Sequence, residues 1–357
     1  MTTRADRLTA LLPDAGVDAL LVTHLVNVRW LTGFTGSNGL AVVAPDRREF
    51  VSDFRYVAQA AEELTDFTFR RGSRDLNDSI AAALPRGRLR LGFEDQHLSV
   101  RRHRELAELL GDRVELIAAG GLVEELRTRK DAGELERMRA AARLADAALE
   151  RILEQGLVGR TEREVALGLE DEMRRAGATG PSFESIVAAG PHGALPHANP
   201  REVAIERDQL VVVDWGALLD GYCSDCTRTV ATGEGVGEEA REVYELVRRA
   251  QATALAEVGP GRPARELDGA ARELIEAAGH GEEFGHPLGH GVGIEVHEAP
   301  RLGQQNGAPV EPGNVVTVEP GVYLPERFGV RIEDLVAVTE DGHEVLSSLP
   351  KALTIVG

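Results

Sequence analysis

VVVDWGALLDGYCSDCTRTV, residues 211–230, decides the reading of this chain. Asp220-Gly221 is a two-residue hairpin signal between two apolar runs, because both residue types tolerate the positive φ of a twist-compatible turn. Closing the turn there pairs Leu219 with Tyr222 and sets Asp214 opposite Thr227. Asp225 lies two positions from Thr227 and shares its face, since side chains alternate along a strand. Both aspartates are therefore predicted to project from one side of neighbouring strands. A bulge would shift the register, but proximity does not need one. Two adjacent carboxylates repel, and each has a raised pKa unless a cation intervenes. A single aspartate at a strand end is as readily a surface residue, so the pair needs partners.

The same stretch holds the chain's two cysteines, Cys223 and Cys226. A redox C-x-x-C is expected near the start of a helix that follows a strand. YCSDCTRTV is β-branched and aromatic and reads as a strand, where positions three apart face opposite ways. A disulfide would be strained there, and two reduced thiols are predicted.

Partners for the aspartates lie downstream. FGHPLGHGVGIEVHE, residues 284–298, carries His286, His290 and His297. The first two have the spacing of a helical zinc pair, but Pro287 and Gly289 oppose a helix. The glycines instead predict close backbone approach around His290, and IEVHE alternates as a strand carrying His297. A lone histidine is more often a satisfied core or surface residue; three so close together point to a site. VVTVEPGVYLP, residues 315–325, ends an apolar strand at Glu319. FGVRIEDLVAVT, residues 328–339, places Glu333 in another, with Arg331 two residues earlier on the same face. A buried glutamate needs a cation. Arg331 answers one of them as a buried Glu–Arg pair and leaves the other uncompensated. Upstream, AAGPHGALPHANP, residues 188–200, is a loop by its Gly, Pro and Asn content and carries His192 and His197. His197 precedes the Asp214 strand closely enough to approach the cluster from outside.

Asp214, Asp225, His290, Glu319 and Glu333 together offer four carboxylates and one imidazole. That donor set suits a pair of hard or borderline divalent cations. Paired cations are a recognised way to make a nucleophile from water and to clamp a tetrahedral intermediate.

Around this centre the chain reads as α+β. Helical spacing covers residues 4–12, ended by Pro13 and Gly16. DALLVTH, NGLAVVAP and REFVSDF read as strands, the last two joined at Pro45-Asp46. Residues 54–64 and 99–110 look helical, and LRLGFED and VELIAA look like strands. Residues 1–127 thus form an α/β N-terminal domain. A long helical pattern over 124–154 is read as a linker near 127–133 followed by the first helix of a second domain, residues 128–357. Further helices are predicted over 161–176, 237–257 and 263–278. Hairpins are predicted from 209–216 with 222–231 and from 314–320 with 328–338. A curved, mostly antiparallel central sheet with helices on its outer face is the natural packing.

Composition limits the functions available. The 357 residues carry a formal net charge of -19, a poor match for nucleic acid or anionic membranes. No stretch approaches the ~20 apolar residues of a membrane span. The N-terminal apolar run is too short and interrupted for a signal peptide, so a cytoplasmic location is expected.

LPHA, VVVDWGALLDGYCSDCTRT, GHGVGIEVHE, VEPGVY and RIED, in this order and spacing, resemble the proline-specific pita-bread metallopeptidases. This is the aminopeptidase P and prolidase group, related to methionine aminopeptidases. The resemblance covers essentially the whole second domain. WLTGFTGSNG and SDFRYVAQA resemble the creatinase-type N-terminal domain of the group, which methionine aminopeptidases lack. The resemblance implies that Asp214 binds one metal, Asp225 and Glu333 bridge two, and His290 and Glu319 bind the other. It implies that His197 and His297 contact the scissile peptide and that Glu319 carries the proton. His286, Tyr323 and Arg331 match positions that line or brace the site. None of the five ligands departs from the pattern, unlike creatinases, which share the fold without the metals. Mn(II) is the implied metal, with Co(II) or Zn(II) as substitutes. The implied substrates are short peptides with proline second, and the implied assembly is a homodimer. Among activities, the expectation is an Xaa-Pro aminopeptidase, with an Xaa-Pro dipeptidase (prolidase) as the alternative. A non-enzymatic binding module on the same scaffold is the reading from another class.

Overall fold

Apolar runs without polar alternation in the first third of the chain become strands buried on both faces. The structure is a computed structural model and describes residues 2–357. The chain divides into two compact units, one ending at Arg127 and one running from Thr128 to Gly357. In the first, β1 (Ala19–Val22), β2 (Leu40–Ala44), β3 (Arg47–Ser52), β4 (Thr68–Arg71), β5 (Leu89–Phe93) and β6 (Val114–Ala118) form one sheet in the order β4-β3-β2-β1-β5-β6. The β1–β2 and β2–β3 pairs are antiparallel, and the β2–β3 turn falls at Pro45-Asp46. The other pairs are parallel.

Six helices accompany this sheet: α1 (Arg4–Leu11), α2 (Leu25–Thr32), α3 (Val57–Glu63), α4 (Asn77–Ala83), α5 (Val100–Leu110) and α6 (Leu122–Arg127). Ile80 of α4 and Leu106 of α5 share a core with Leu21, Val42 and Leu91. The sequence reading does not assign α2, α4 or β4. Each is too short for its periodicity to stand out. The end of α2 is nonetheless marked by Gly33, a left-handed cap at φ 82°.

The second unit contains α7 (Ala132–Glu154), α8 (Glu162–Arg175), α9 (Glu238–Glu257) and α10 (Ala264–Ala277). The break before α7 is chemical: Asp131 and Glu134 form a capping box that starts a new helix. Thr161 and Glu164 do the same for α8. Short strands β7 (Gly180–Pro181), β8 (Ile186–Ala189), β9 (Leu210–Trp215), β10 (Ala217–Leu219), β11 (Tyr222–Cys223) and β12 (Cys226–Ala231) make the sheets β12-β9-β8 and β11-β10-β7. Strands β13 (Gly289–Gly291), β14 (Glu298–Leu302), β15 (Val315–Val318), β18 (Asp334–Val338) and β19 (His343–Val345) form a third sheet, ordered β14-β13-β15-β18-β19. β16 (Gly321–Leu324) and β17 (Phe328–Arg331) form a separate ribbon. Every strand ladder of this unit is antiparallel.

Two expectations need correction. The 314–320 with 328–338 hairpin is two nested ones. Val315–Val318 pairs with Asp334–Val338, while Gly321–Leu324 pairs with Phe328–Arg331 inside it. Pro320 and Ile332-Glu333 interrupt the strands, and the break frees both glutamates from ladder positions. IEVHE is not a strand either: residues 293–297 bend, and β14 begins at Glu298. A register shift across Gly289–Gly291 accompanies that bend.

Alternation decides which side chains face the helices. Val211, Val213 and Trp215 of β9 and Cys226 and Val230 of β12 pack with Leu149 of α7 and Leu169 of α8. The Trp215 indole N–H donates to the Ala145 carbonyl at 2.9 Å and ties that face to α7. Val316, Val318, Val336 and Val338 pack with Val247 of α9 and Leu267 and Ala271 of α10. Asp214, Thr227, Thr317, Glu319 and Glu333 have the opposite parity. Among the described residues no helix is long and apolar enough to cross a membrane. Cys223 and Cys226 are both buried and unbridged. Their thiols reach the Ile294 and Glu333 carbonyls at 3.4 and 3.3 Å.

Candidate metal centre

The Asp220-Gly221 turn forms as the sequence requires, with φ of 50° and 83° at its two residues. Leu219 pairs with Tyr222, and Asp214 with Thr227. The hairpin is pinched at Gly216, where a Cβ would overlap the Ser224 carbonyl oxygen. That pinch interrupts the ladder beside Asp225, which turns inward. Carboxylate oxygens of Asp214, Asp225 and Glu333 all lie within 4.8 Å of one another.

His290 and Glu319 complete the group from the other sheet. His290 Nε2 is 3.6 Å from Asp225 and 3.3 Å from Glu319. The His290 Nδ1 sits 3.1 Å from the Gly291 carbonyl. With Nδ1 directed at that carbonyl, Nε2 faces the carboxylates: protonated, it donates to Glu319, and once deprotonated it offers them a ligand lone pair. The Thr317 hydroxyl accepts from the His290 backbone N–H at 3.0 Å and donates to Glu319 at 2.9 Å. The loop before His290 is fixed from α10: the Asp268 carboxylate accepts from the Leu288 N–H, and Arg272 donates to the Phe284 and His286 carbonyls.

The predicted close approach around His290 is present. A Cβ on Gly289 would overlap the Thr317 carbonyl oxygen, and one on Gly291 would overlap that of Ala299. Gly289→Ala is therefore expected to force β13 away from β15. The expected cost is about 1–3 kcal/mol of stability and, through displacement of His290, about 10²-fold in turnover. Thermal unfolding and steady-state kinetics on the purified variant check both. An unchanged Tm and unchanged turnover would show that β13 has room to spare.

Arg331 does not pair with a glutamate. Its guanidinium donates to Asp214 at 2.6 Å, to the Thr227 hydroxyl at 3.0 Å and to the Tyr323 hydroxyl at 2.8 Å. Residues two apart share a face, but the nearest carboxylate stands on the neighbouring strand. Tyr323 in turn lies 3.0 Å from His286 Nε2. The Thr227 hydroxyl donates to Glu333 at 2.6 Å. Arg331, Tyr323 and His286 thus brace the acidic group rather than belonging to it.

One arginine does not balance four carboxylates. Burial raises Asp214, against the opposing charge of Arg331. Burial and then repulsion from Glu333, Asp214 and Glu319 push Asp225 well up. Burial, Glu319 and Asp214 do the same to Glu333. Glu319 goes the other way. Burial opposes its ionisation, but the hydrogen bond and charge of His290, with the charges of His286 and Arg331, hold it down at about 2. One buried oxygen of Asp214 and one of Glu333 accept no hydrogen bond. Crowded, largely buried, partly unsatisfied carboxylates beside an imidazole nitrogen are what a divalent pair would neutralise. The residues therefore fit the cations expected of them.

The remaining histidines separate into two kinds. His297 is exposed, its ring 4.4 Å from that of His290. His197 is exposed in the 196–197 turn, and its charge is felt by both His286 and His297. His297 borders the acidic group, and the turn carrying His197 is linked to it by the Pro196 carbonyl, which accepts from Arg331 at 3.2 Å. His192 does not border it: its Nδ1 is 2.9 Å from the buried Glu162. A separate trio, His24, His97 and Glu124, lies in the first unit. Its imidazoles stack 3.6 Å apart at 9°, so their in-plane lone pairs do not converge on one point. Arg301, which the sequence reading does not single out, is exposed four residues beyond His297; burial chiefly, then the charges of His290 and Arg301, lower the His297 pKa. A basic residue closely following the histidine stretch was the available signal.

Comparison with known proteins identifies the family. The model of metallopeptidase family M24 matches residues 136–340, and that of the creatinase/prolidase N-terminal domain matches residues 4–129. An Xaa-Pro dipeptidase of Pyrococcus furiosus is 35% identical, with 99% of this chain and 100% of that protein covered. Among solved structures, an Xaa-Pro dipeptidase from Bacillus anthracis is 40% identical with a TM-score of 0.95, covering 99% of each chain. An X-Pro aminopeptidase from Thermotoga maritima is 35% identical with a TM-score of 0.90, covering 99% of this chain and 100% of that one.

Proposed function

This chain belongs to metallopeptidase family M24, and from that premise we propose that it is a dinuclear Xaa-Pro dipeptidase. The observation that carries the reading is the buried group of Asp214, Asp225, His290, Glu319 and Glu333, with two carboxylate oxygens left unsatisfied. These five residues would hold two divalent cations, Mn(II) by the dominance of oxygen donors. The cations would supply Lewis acidity, lowering the pKa of water and polarising the scissile carbonyl.

The chain's own groups supply the rest. Glu319 accepts the proton of the attacking water and returns it to the departing proline nitrogen. Like any amide nitrogen, that nitrogen leaves as an amine only when a proton is delivered to it. His197 and His297 face the substrate side of the group and donate hydrogen bonds to the carbonyl oxygen as it gains charge. Arg331, through Tyr323 and Thr227, keeps Asp214 and Glu333 in place.

Sequence motifs alone favour an aminopeptidase. Two observations favour the dipeptidase. The relatives at 35% and 40% identity described above are Xaa-Pro dipeptidases, although the Thermotoga maritima structure is an aminopeptidase. Arg301 also supplies an exposed positive charge close to His297. A dipeptide places its terminal carboxylate one residue beyond the scissile bond, where such a charge would meet it. Xaa-Pro is expected to be hydrolysed at least about tenfold more efficiently than Xaa-Pro-Yaa, the worth of one charge-assisted hydrogen bond. Arg301→Met is expected to raise KM for the dipeptide by about tenfold or more and to spare the Xaa-Pro amide. Preference for the tripeptide, together with an indifferent Arg301 variant, would return the assignment to the aminopeptidase.

A further inference from the structure

We propose that Glu162 is a positioning residue that closes the 189–201 loop and so fixes His197 at the metal centre. The inference rests on the reading of His197 as a substrate-facing group. Glu162 is the first residue of α8, and its side chain is 1% exposed. Its carboxylate accepts from the Ala189 N–H at 3.0 Å, where β8 ends, and from the Arg201 N–H at 2.9 Å, where the loop returns. The Arg201 guanidinium adds bonds of 3.1 and 3.0 Å. His192 Nδ1, inside the loop, is 2.9 Å away. One buried carboxylate therefore holds both ends of the segment and one residue within it.

The geometry leaves His197 as the projecting part. Near the tip, the Pro196 carbonyl accepts from Arg331 at 3.2 Å, the same guanidinium that grips Asp214. Close by, the Gly193 carbonyl oxygen sits where a Cβ on Gly329 would overlap it, so the turn rests directly on β17. His197 itself makes no hydrogen bond among the described residues that would set its ring. Its position is inherited from the frame around it, and that frame ends on Glu162. The Glu162 carboxylate stays ionised where it lies, because the Arg201, Ala189 and His192 bonds outweigh the burial that opposes its charge. The α8 N-terminus favours the same charge.

A double-mutant cycle separates positioning from general structural support. Wild type, Glu162→Gln, His197→Ala and the double variant are assayed on an Xaa-Pro dipeptide, with bound metal measured on each. His197→Ala is expected to lower kcat about 10²-fold. Glu162→Gln is expected to lower kcat by about 10- to 100-fold, with KM and metal content held, as for a misplaced group. The double variant should be no slower than His197→Ala alone. If the Glu162→Gln loss persists in full on the His197→Ala background, or if Glu162→Gln matches wild type, the proposal is overturned. If His197→Ala keeps wild-type kcat, the reading of His197 fails first and the proposal falls with it. Should Glu162→Gln prove insoluble, Arg201→Met opens the same end of the loop and is judged by the same criterion.

Discussion

Asp225→Ala is expected to lower kcat/KM on an Xaa-Pro dipeptide by about 10³-fold or more, because it removes a ligand rather than a ligand's support. Asp225 is central to the acidic group, within 4.8 Å of both Asp214 and Glu333 and 3.6 Å from His290. The stability of the same variant should move in the opposite sense. Burial and three carboxylate neighbours all oppose the charge of Asp225, so the metal-free protein gains by losing it. Metal-free Asp225→Ala should unfold at or above the wild-type temperature. The rise in Tm that wild type shows on adding Mn(II), a consequence of ligand binding to the folded state alone, should be largely abolished. Calorimetry with and without metal, beside kinetics, reads both. A variant that kept full activity would remove Asp225 from the chemistry.

Arg228→Met is the largest expected loss of stability. Arg228 is buried in β12 and donates to Asp334 at 2.9 Å, Leu349 O at 2.7 Å, Pro350 O at 3.0 Å and Thr227 O at 3.0 Å, as well as to the Glu333 carbonyl. It joins β12 to β18 and to the C-terminal segment behind the metal centre. Removing one partner of a buried ion pair costs about 3–5 kcal/mol, since the other charge stays buried. Gln251 and Lys351 still serve Asp334, at 2.9 and 2.5 Å, which favours the lower end of that range. The abandoned carbonyls favour the upper end. The expected Tm drop is about 6–20 °C for a unit of this size. Arg228→Lys should recover little, because an ammonium cannot span so many acceptors. A Tm within a degree or two of wild type would show that water replaces the guanidinium freely.

How far the site could be read in advance follows from the range of each signal. The aspartate pair was legible because a local turn fixes register: once Asp220-Gly221 closes, every partner back to Asp214–Thr227 is determined. His290 was legible because glycines on both sides mark backbone contact, here with Thr317 and Ala299. The partner of Arg331 was not, because parity places Glu333 on its face but cannot show that Asp214 of another strand is nearer. His297 was placed on a strand because IEVHE alternates, whereas the register shift at β13 turns those residues into a bend. Glu162 gave no local sign at all: it lies far along the chain from the residues it ties, and only the folded loop brings them together. The N-terminal helices α2 and α4 escape the reading because they are short and neither starts on a side-chain cap, whereas the equally short α1 opens on the Thr3 capping box.

The central claim is that two cations held by Asp214, Asp225, His290, Glu319 and Glu333 are required for Xaa-Pro hydrolysis. The most direct measurement strips the protein with a chelator and titrates Mn(II) back, following bound metal and dipeptide hydrolysis together. Activity is expected to be absent without metal and complete at two ions per chain. Full hydrolysis by the metal-free protein, or full activity unaccompanied by bound metal, would contradict it.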